Sequence, residues 1–441
     1  MQKVIESMLS NNINYNENGE LTFAGISIDK LADSFGTPLY AYDEQRIIDN
    51  CLTYQTAMKA HFGDGSYPIY AGKAASFGYI YKILTELSMS ADFVSAGEIL
   101  TAKRAGFDMS RGFFHGNAKT NAEIDIAIDA GIGCIVVDGE DELFAVAEAA
   151  RKKNIRQRIL LRITPGIDPH TYEAVSTGKV DSKFGMPIKT GQAHEFVRKA
   201  LGEASLELIG YHCHIGSQVF DDDADVYTDT AKVMLDFSYE IEASLGYFPE
   251  YLNLGGGFGV RYTESDPSLD IDLGIKRIAD FVQAYSVAHE SKLPRFLMEP
   301  GRSIVADAGM TVYTVETVKH IPGYKSYVAV DGGMTDNPRY ALYRSAYTVY
   351  PAEKSDSEMT CDLVGKCCES GDIIQPSVSL PSEIKRGDRV AVATTGAYNY
   401  SMASNYNRIP RPAVVMLRGE FAKLVVRRET YTDVSALDII E

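Results

Sequence analysis

The sequence predicts an α/β chain in two parts, a (β/α)8 barrel followed by an all-β domain. Three observations predict it. Eight short apolar runs recur between about residue 65 and residue 300, amphipathic stretches separate them, and past residue 310 strand-like segments follow one another without helices. Eight β-α units in about 230 residues match the size of a closed barrel. An open, doubly wound sheet alternates strands and helices in the same way and is the alternative.

Taken in order, the runs are PIYAG (68–72), ADFVS (91–95), GFFHG (112–116), CIVVD (134–138), ILLRI (159–163), LIGYHCH (208–214), YLNLG (251–255) and RFLME (295–299). Each is too short for a buried helix and rich in β-branched or aromatic residues. Between them, SFGYIYKILTELS (76–88), TNAEIDIAIDAG (120–131) and DELFAVAEAARKKN (141–154) space their apolar residues by three and four, as helices covering a sheet require. Later strand-like segments are MTVYTVETV (310–318), YKSYVAVD (324–331), EMTCDLVG (358–365), DRVAVATTG (388–396) and RPAVVMLRGEFAKLVVRR (411–428). Residues 20–30, ELTFAGISIDK, read as a strand or hairpin ahead of the barrel.

Composition narrows the function classes. The chain of 441 residues is 45% hydrophobic, enough for a large core, and no run of 18 apolar residues suggests a membrane span. Forty-three basic against 60 acidic residues give a net charge of −17, which disfavours nucleic acid and anionic membranes as partners. The N-terminal twenty residues lack a secretory apolar core, and six scattered cysteines form no CxxC, so the chain reads as cytoplasmic with reduced thiols. Twenty-seven tyrosines and no tryptophan carry no functional meaning by composition alone.

In a barrel the C-terminal ends of the strands form one rim, where catalytic groups sit. Polar residues follow the apolar runs there: Lys73, then Ser95 and Glu98, His115 and Asn117, Asp138, His212 and His214, three glycines at 255–257, and Glu299. Lys73 follows PIYAG and precedes Ala-Ala-Ser; burial there would lower its pKa and suit an amine nucleophile, and a snorkelling lysine is the plainer reading. LGGGFG (254–259) is either a tight turn or an anion-binding loop, without the spacing of GxGxxG or a P-loop. EPGRS (299–303) adds a second candidate anion loop through Gly301 and Arg302. His212 and His214, two apart, would share one face of a strand, as a zinc pair or as an imidazole packed on a flat cofactor; no third ligand stands nearby and no metal is expected. CCES (367–370) is a reactive thiol loop or ordinary polar sequence.

Together YAGKA (70–74), DFVSAGE (92–98), HGNAKT (115–120), HCHIGSQ (212–218), LGGGFG (254–259), EPGRS (299–303), CCESGD (367–372) and GAY (396–398) closely resemble the diaminopimelate decarboxylases. These belong to the alanine-racemase-like class of pyridoxal-phosphate enzymes. The likeness runs from FGTPLYAYD (35–43) to YNRIPRPAVVM (406–416). It implies a barrel over 35–305, and a β domain from 1–34 and 306–441 that takes in the N-terminal strand. It also implies a homodimer with shared active sites.

By resemblance, Lys73 holds pyridoxal phosphate covalently, His214 stacks on its ring, and Glu299 faces the pyridine nitrogen. Asp92, Ser217, Gly257, Gly301, Arg302 and Tyr398 match further cofactor positions. The substrate is implied to be a small amino acid, meso-2,6-diaminoheptanedioate, converted to L-lysine and CO2 in the last step of lysine biosynthesis. Arg302 and Arg339 would grip its distal carboxylate, Tyr343 and Tyr398 would add hydroxyls, and Glu369 would meet its distal ammonium. Cys368 of the partner subunit would return a proton after CO2 leaves. The family's proline two residues before that cysteine is Lys366 here, with a second cysteine at 367, so the choice between thiols rests on context. Rival readings are a sister decarboxylase of ornithine, arginine or carboxynorspermidine, and an inactive protein-binding relative, whose expected mark, loss of the lysine, is absent.

Overall fold

The computed structural model describes residues 8–167, 182–220 and 225–440. These fall into two compact units, one of 8–48, 260–267 and 304–440, the other of 49–167, 182–220, 225–259 and 268–303.

The second unit holds all eight expected strands: β1 (Tyr67–Ala71), β2 (Ser90–Phe93), β3 (Gly112–Phe114), β4 (Cys134–Val137), β5 (Gln157–Thr164), β6 (Leu206–His212), β7 (Tyr251–Asn253) and β8 (Arg295–Met298). Each pairs in parallel with the next. The pairing of Leu297 with Tyr67 returns β8 to β1 and closes the barrel, which removes the open-sheet alternative. Ile69, Phe113, Cys134, Val136, Leu160, Ile209, Tyr251 and Leu297 form one buried cluster drawn from seven of the strands. The predicted helices appear as Gly78–Glu86, Asn121–Ala130 and Glu140–Lys152. Thr120 and Glu123 close a capping box at the start of the second, fixing where β3 hands over to its helix.

One irregularity matters for the site. In β6 the register with β5 shifts between Leu208 and Gly210, leaving Ile209 as an extra residue. Beyond this bulge Gly210 lies opposite Leu160 and His212 opposite Arg162. Leu160 and Arg162 are two apart on β5, so the bulge turns His212 onto the face that Leu160 shares with the interior cluster. Tyr211 points the other way, against Phe237 and Tyr247.

In the first unit, strands run in the order Ile373–Pro381, Glu358–Val364, Lys325–Val330, Gly309–Ile321, Leu39–Asp43, Ala413–Arg418 and Phe421–Val426. Arg389–Ala393 pairs with Gly309–Ile321 and with Val349–Pro351. The segment 20–30 forms a hairpin, Leu21–Phe23 with Ile26–Ser27, and its Leu21 and Phe23 pack with Val312, Ala391 and Val415. A boundary at residue 35 is not where the contacts divide. Leu39–Asp43 pairs with Gly309–Ile321 and Ala413–Arg418, which carries residues 35–48 into the β unit.

The tyrosine excess finds its place here. Seven of the largest fully buried side chains are tyrosines, and most anchor a hydroxyl: Tyr40 on the Asp336 carbonyl at 2.5 Å, Tyr42 on that of Gly396 at 2.8 Å, Tyr70 on that of Ala75 at 3.0 Å. These three fill space and satisfy backbone carbonyls at once.

Candidate active site

Lys73 follows β1 on a single helical turn, Gly72–Ala74. It is exposed between buried neighbours, as the plainer snorkelling reading has it: the backbone is locked in the wall and the side chain stands in the open mouth. The lock is Asp92, buried on β2, whose Oδ1 accepts the Gly72 N–H at 2.9 Å. A Cβ on Gly72 would come within 2.5 Å of the Asp92 carbonyl, so only glycine fits there. Burial, followed by the nearby charge of Glu299, pushes the Asp92 carboxyl up to about 7 against the opposing pull of His115 and Lys73. Glu98 accepts the Val94 N–H at 2.6 Å, and burial raises its carboxyl too.

Glu299, just past β8, is buried beneath this mouth. Asn253 of β7 donates to its Oε1 at 2.7 Å, and His212 Nε2 lies 3.0 Å from its Oε2. His115 Nε2 lies 2.9 Å from Oε1, an ion-pair distance without full hydrogen-bond alignment. The two imidazoles meet edge to face, 4.8 Å between centroids. Burial alone would raise this carboxyl, yet the histidines hold it well below its usual range. His212 itself is pushed down to about 4 by burial, so it acts as a neutral donor.

His214 does not join His212. The strand ends at His212, so the two-residue alternation no longer applies one step beyond it. Gly256 N–H donates to His214 Nδ1 at 3.3 Å, and burial, then Lys73 and Arg162, holds this imidazole well below its usual value. His212 instead comes together with His115 and Glu299, their ring nitrogens and carboxylate oxygen lying within 4.8 Å of one another.

The glycine loops are built by close approach. A Cβ on Gly256 would sit 1.9 Å from the Glu299 carbonyl, on Gly257 2.3 Å from that of Gly216, and on Gly301 2.7 Å from Ala71 Cβ. Gly257 also holds φ +112°. Beside them the buried Arg302 donates from Nη2 to Ser217 Oγ at 2.8 Å.

In the β unit Arg339 is buried with its guanidinium 5.6 Å from the ring of Tyr262, 5.9 Å from Tyr343 and 5.2 Å from Tyr398. Its Nη2 donates to Ser345 Oγ at 3.2 Å. Cys368 and Glu369 lie on a different loop, 366–372. Asp372 ties that loop down by accepting from Cys367 N at 2.7 Å and Met334 N at 2.6 Å. The loop sorts its two thiols: Cys367 is half-buried against Asp372 and pushed up to about 12 by burial and that charge, whereas Cys368 is exposed. Glu369 accepts from Gly371 N at 3.0 Å.

Sequence reasoning missed Asn253, Arg162 and Tyr262. An amide or guanidinium inside a buried strand run is the signal that finds the first two, because such groups need a partner there. Arg162 lies 3.8 Å from Asp138 and stacks 4.2 Å from Phe184.

The donor set fits pyridoxal phosphate: an exposed primary amine, a buried carboxylate held anionic, a neutral imidazole, and a buried arginine paired with Ser217 beside two tight glycine loops. Residues 45–306 match the model of the pyridoxal-dependent decarboxylase family, its pyridoxal binding domain. The chain is 42% identical over 426 residues to a diaminopimelate decarboxylase of Bacillus subtilis, covering 96% of each. It is 43% identical over 422 residues to one of Staphylococcus aureus, covering 95% of this chain and 97% of the relative. It also resembles the crystal structure of diaminopimelate decarboxylase from M. jannaschii in complex with L-lysine, with TM-score 0.89, 32% identity and 99% of each chain covered.

Proposed function

This chain belongs to the diaminopimelate decarboxylase family of pyridoxal-dependent decarboxylases, and we propose from that premise that it converts meso-2,6-diaminoheptanedioate to L-lysine and CO2. The observation that carries the reading is Glu299, a buried carboxylate kept ionised below the mouth into which Lys73 opens. When bound, pyridoxal phosphate supplies a protonated ring that takes up the electron pair of the breaking carbon–carbon bond.

The residues divide the remaining work. Lys73 would bind the cofactor's aldehyde carbon. Glu299 would hold the proton on the pyridine nitrogen, which only an anionic carboxylate can do. His214, uncharged, would lie against the ring without competing for that proton. Arg302, Ser217, Gly257 and Gly301 would hold the phosphate, with Arg302 also available to the substrate, and Asp92 would keep the lysine turn in place. Arg339, Tyr343, Tyr398 and Glu369 are assigned to the distal amino-acid end. Cys368, the exposed thiol, would return a proton to the carbon that lost CO2, in a homodimer where Cys368 of the partner subunit serves each site.

Among the described residues no helix is long and apolar enough to cross a membrane. Incubation with pyridoxal phosphate and either meso-diaminoheptanedioate or ornithine tests the reading. Lysine and CO2 from the first support it, and turnover of ornithine alone overturns it.

A further inference from the structure

Glu299 is surrounded by donors from three different strands. His115 follows β3, His212 ends β6 and Asn253 ends β7, and all three are buried. Asn253 and His115 approach Oε1 at 2.7 and 2.9 Å, and His212 approaches Oε2 at 3.0 Å. Asn253 is itself oriented, since its Oδ1 accepts the Gly255 N–H at 2.9 Å. His212 reaches its position only because of the bulge in β6. Its Nδ1 is buried with no hydrogen-bond partner among the described residues, an arrangement that costs stability unless it serves something.

We propose that His115 and His212, with Asn253, are positioning residues that hold Glu299 as an oriented carboxylate and so govern how the chain grips the pyridine nitrogen of pyridoxal phosphate. The proposal rests on the cofactor reading above and extends it to side chains to which that reading gives no role. A carboxylate offers about four lone-pair sites. Asn253 and His212 hold one oxygen each and His115 stands at ion-pair distance from Oε1, which fixes the carboxylate plane and leaves lone-pair sites for the ring N–H.

The clamp also sets a pH dependence. Other titratable groups near Glu299 among the described residues include Asp92 on β2, Cys134 on β4, Arg162 on β5, Cys213 and His214 beyond β6, and Lys73, whose charge also reaches Asp92 and His214. Arg162 and Lys73 are the cations among them and neither is hydrogen-bonded to Glu299, so losing both imidazoles lets burial raise the Glu299 carboxyl. Protonated, it could no longer hold the ring proton. The acid limb of activity then moves to higher pH.

The test compares His115→Leu/His212→Leu with His115→Gln/His212→Gln, the glutamines keeping an N–H donor at similar reach. Pyridoxal phosphate is titrated into each apoprotein by absorbance, and kcat, KM and pH profiles follow on the loaded enzymes. For the leucine pair we expect about tenfold weaker cofactor binding, kcat down by about a hundredfold with KM within about threefold, and an acid limb raised by about one pH unit. The glutamine pair should recover cofactor binding and the acid limb. Should the leucine pair not fold, the single His212→Leu and His212→Gln variants give the same comparison. The proposal is overturned if leucine variants bind cofactor and keep the acid limb as the wild type does, or if glutamine damages as much as leucine. A wild type that takes up no pyridoxal phosphate would instead overturn the underlying function.

Discussion

The guanidinium of Arg339 lies 5.2 Å from the ring centroid of Tyr398, a residue held at φ +70°. A tyrosine in the left-handed region is strained, and such strain persists where the surroundings demand it. With Tyr262 and Tyr343 the ring completes an aromatic cage around a buried cation. Lysine keeps the charge but loses the flat, forked surface that stacks on rings and grips carboxylates. Arg339→Lys should therefore lower kcat/KM for meso-diaminoheptanedioate by at least about a hundredfold, chiefly through KM if Arg339 binds substrate. Steady-state kinetics checks this, and an unchanged KM would remove Arg339 from recognition.

The loop at 366–372 separates two adjacent thiols by environment. Iodoacetamide at pH 8 should label Cys368 first, since Cys367 is held near 12 and the four remaining cysteines are buried. Peptide mapping by mass spectrometry reads the order. Cys368→Ala should cripple turnover far more than Cys367→Ala, and the reverse order would reassign the proton donor.

Asp92 makes stability fall with pH in the cofactor-free chain. Its folded pKa near 7 lies above the unfolded value near 3.8, so the native chain keeps a proton the unfolded chain has lost. Stability drops as pH rises through that window, and the full penalty stands above pH 7. Asp92→Asn keeps an acceptor for Gly72 N–H and escapes the penalty. It should melt higher than the wild type at pH 8, with the difference closing toward pH 4, by calorimetry on the apoprotein.

Gly256 and Gly202 offer a matched contrast. A Cβ on Gly256 meets the Glu299 carbonyl at 1.9 Å, whereas one on Gly202 meets nothing within 4 Å. Gly256→Ala should lower the melting temperature by more than about 5 °C and weaken cofactor uptake, while Gly202→Ala stays neutral or slightly stabilising. Thermal melts with and without pyridoxal phosphate separate the two.

A shared site predicts complementation. Lys73→Ala and Cys368→Ala should each be inactive alone. Mixed under conditions that exchange subunits, they should regain up to about a quarter of wild-type activity, because half the dimers are hybrids with one intact site. No recovery from exchanged hybrids would place both residues in one chain's site.

Much of this was legible in the sequence because strand and helix periods differ. All eight barrel strands lie where apolar runs of the right length stand. The clamp on Glu299 was not legible. Asn253 reads as the polar end of a strand, and a bulge in LELIGYH leaves no mark in residue type, although it decides which way His212 points. Tyr262 was hidden for another reason: its segment, 260–267, follows a barrel strand in sequence but groups with the β unit in space. Lys73 was legible as a snorkelling lysine, since an apolar run buries its backbone and leaves the side chain exposed.

The strand Leu39–Asp43 lies between Gly309–Ile321 and Ala413–Arg418, its only pairing partners among the described strands. During synthesis it therefore waits for more than half the polypeptide to emerge before its first neighbour exists, and for nearly all of it before its second. The barrel strands, all between residues 67 and 298, have every partner by then. Vectorial synthesis thus lets the barrel close first. A premature stop before residue 413 would leave Leu39–Asp43 as a bare hydrophobic edge, so truncated products should be sticky even with an intact barrel.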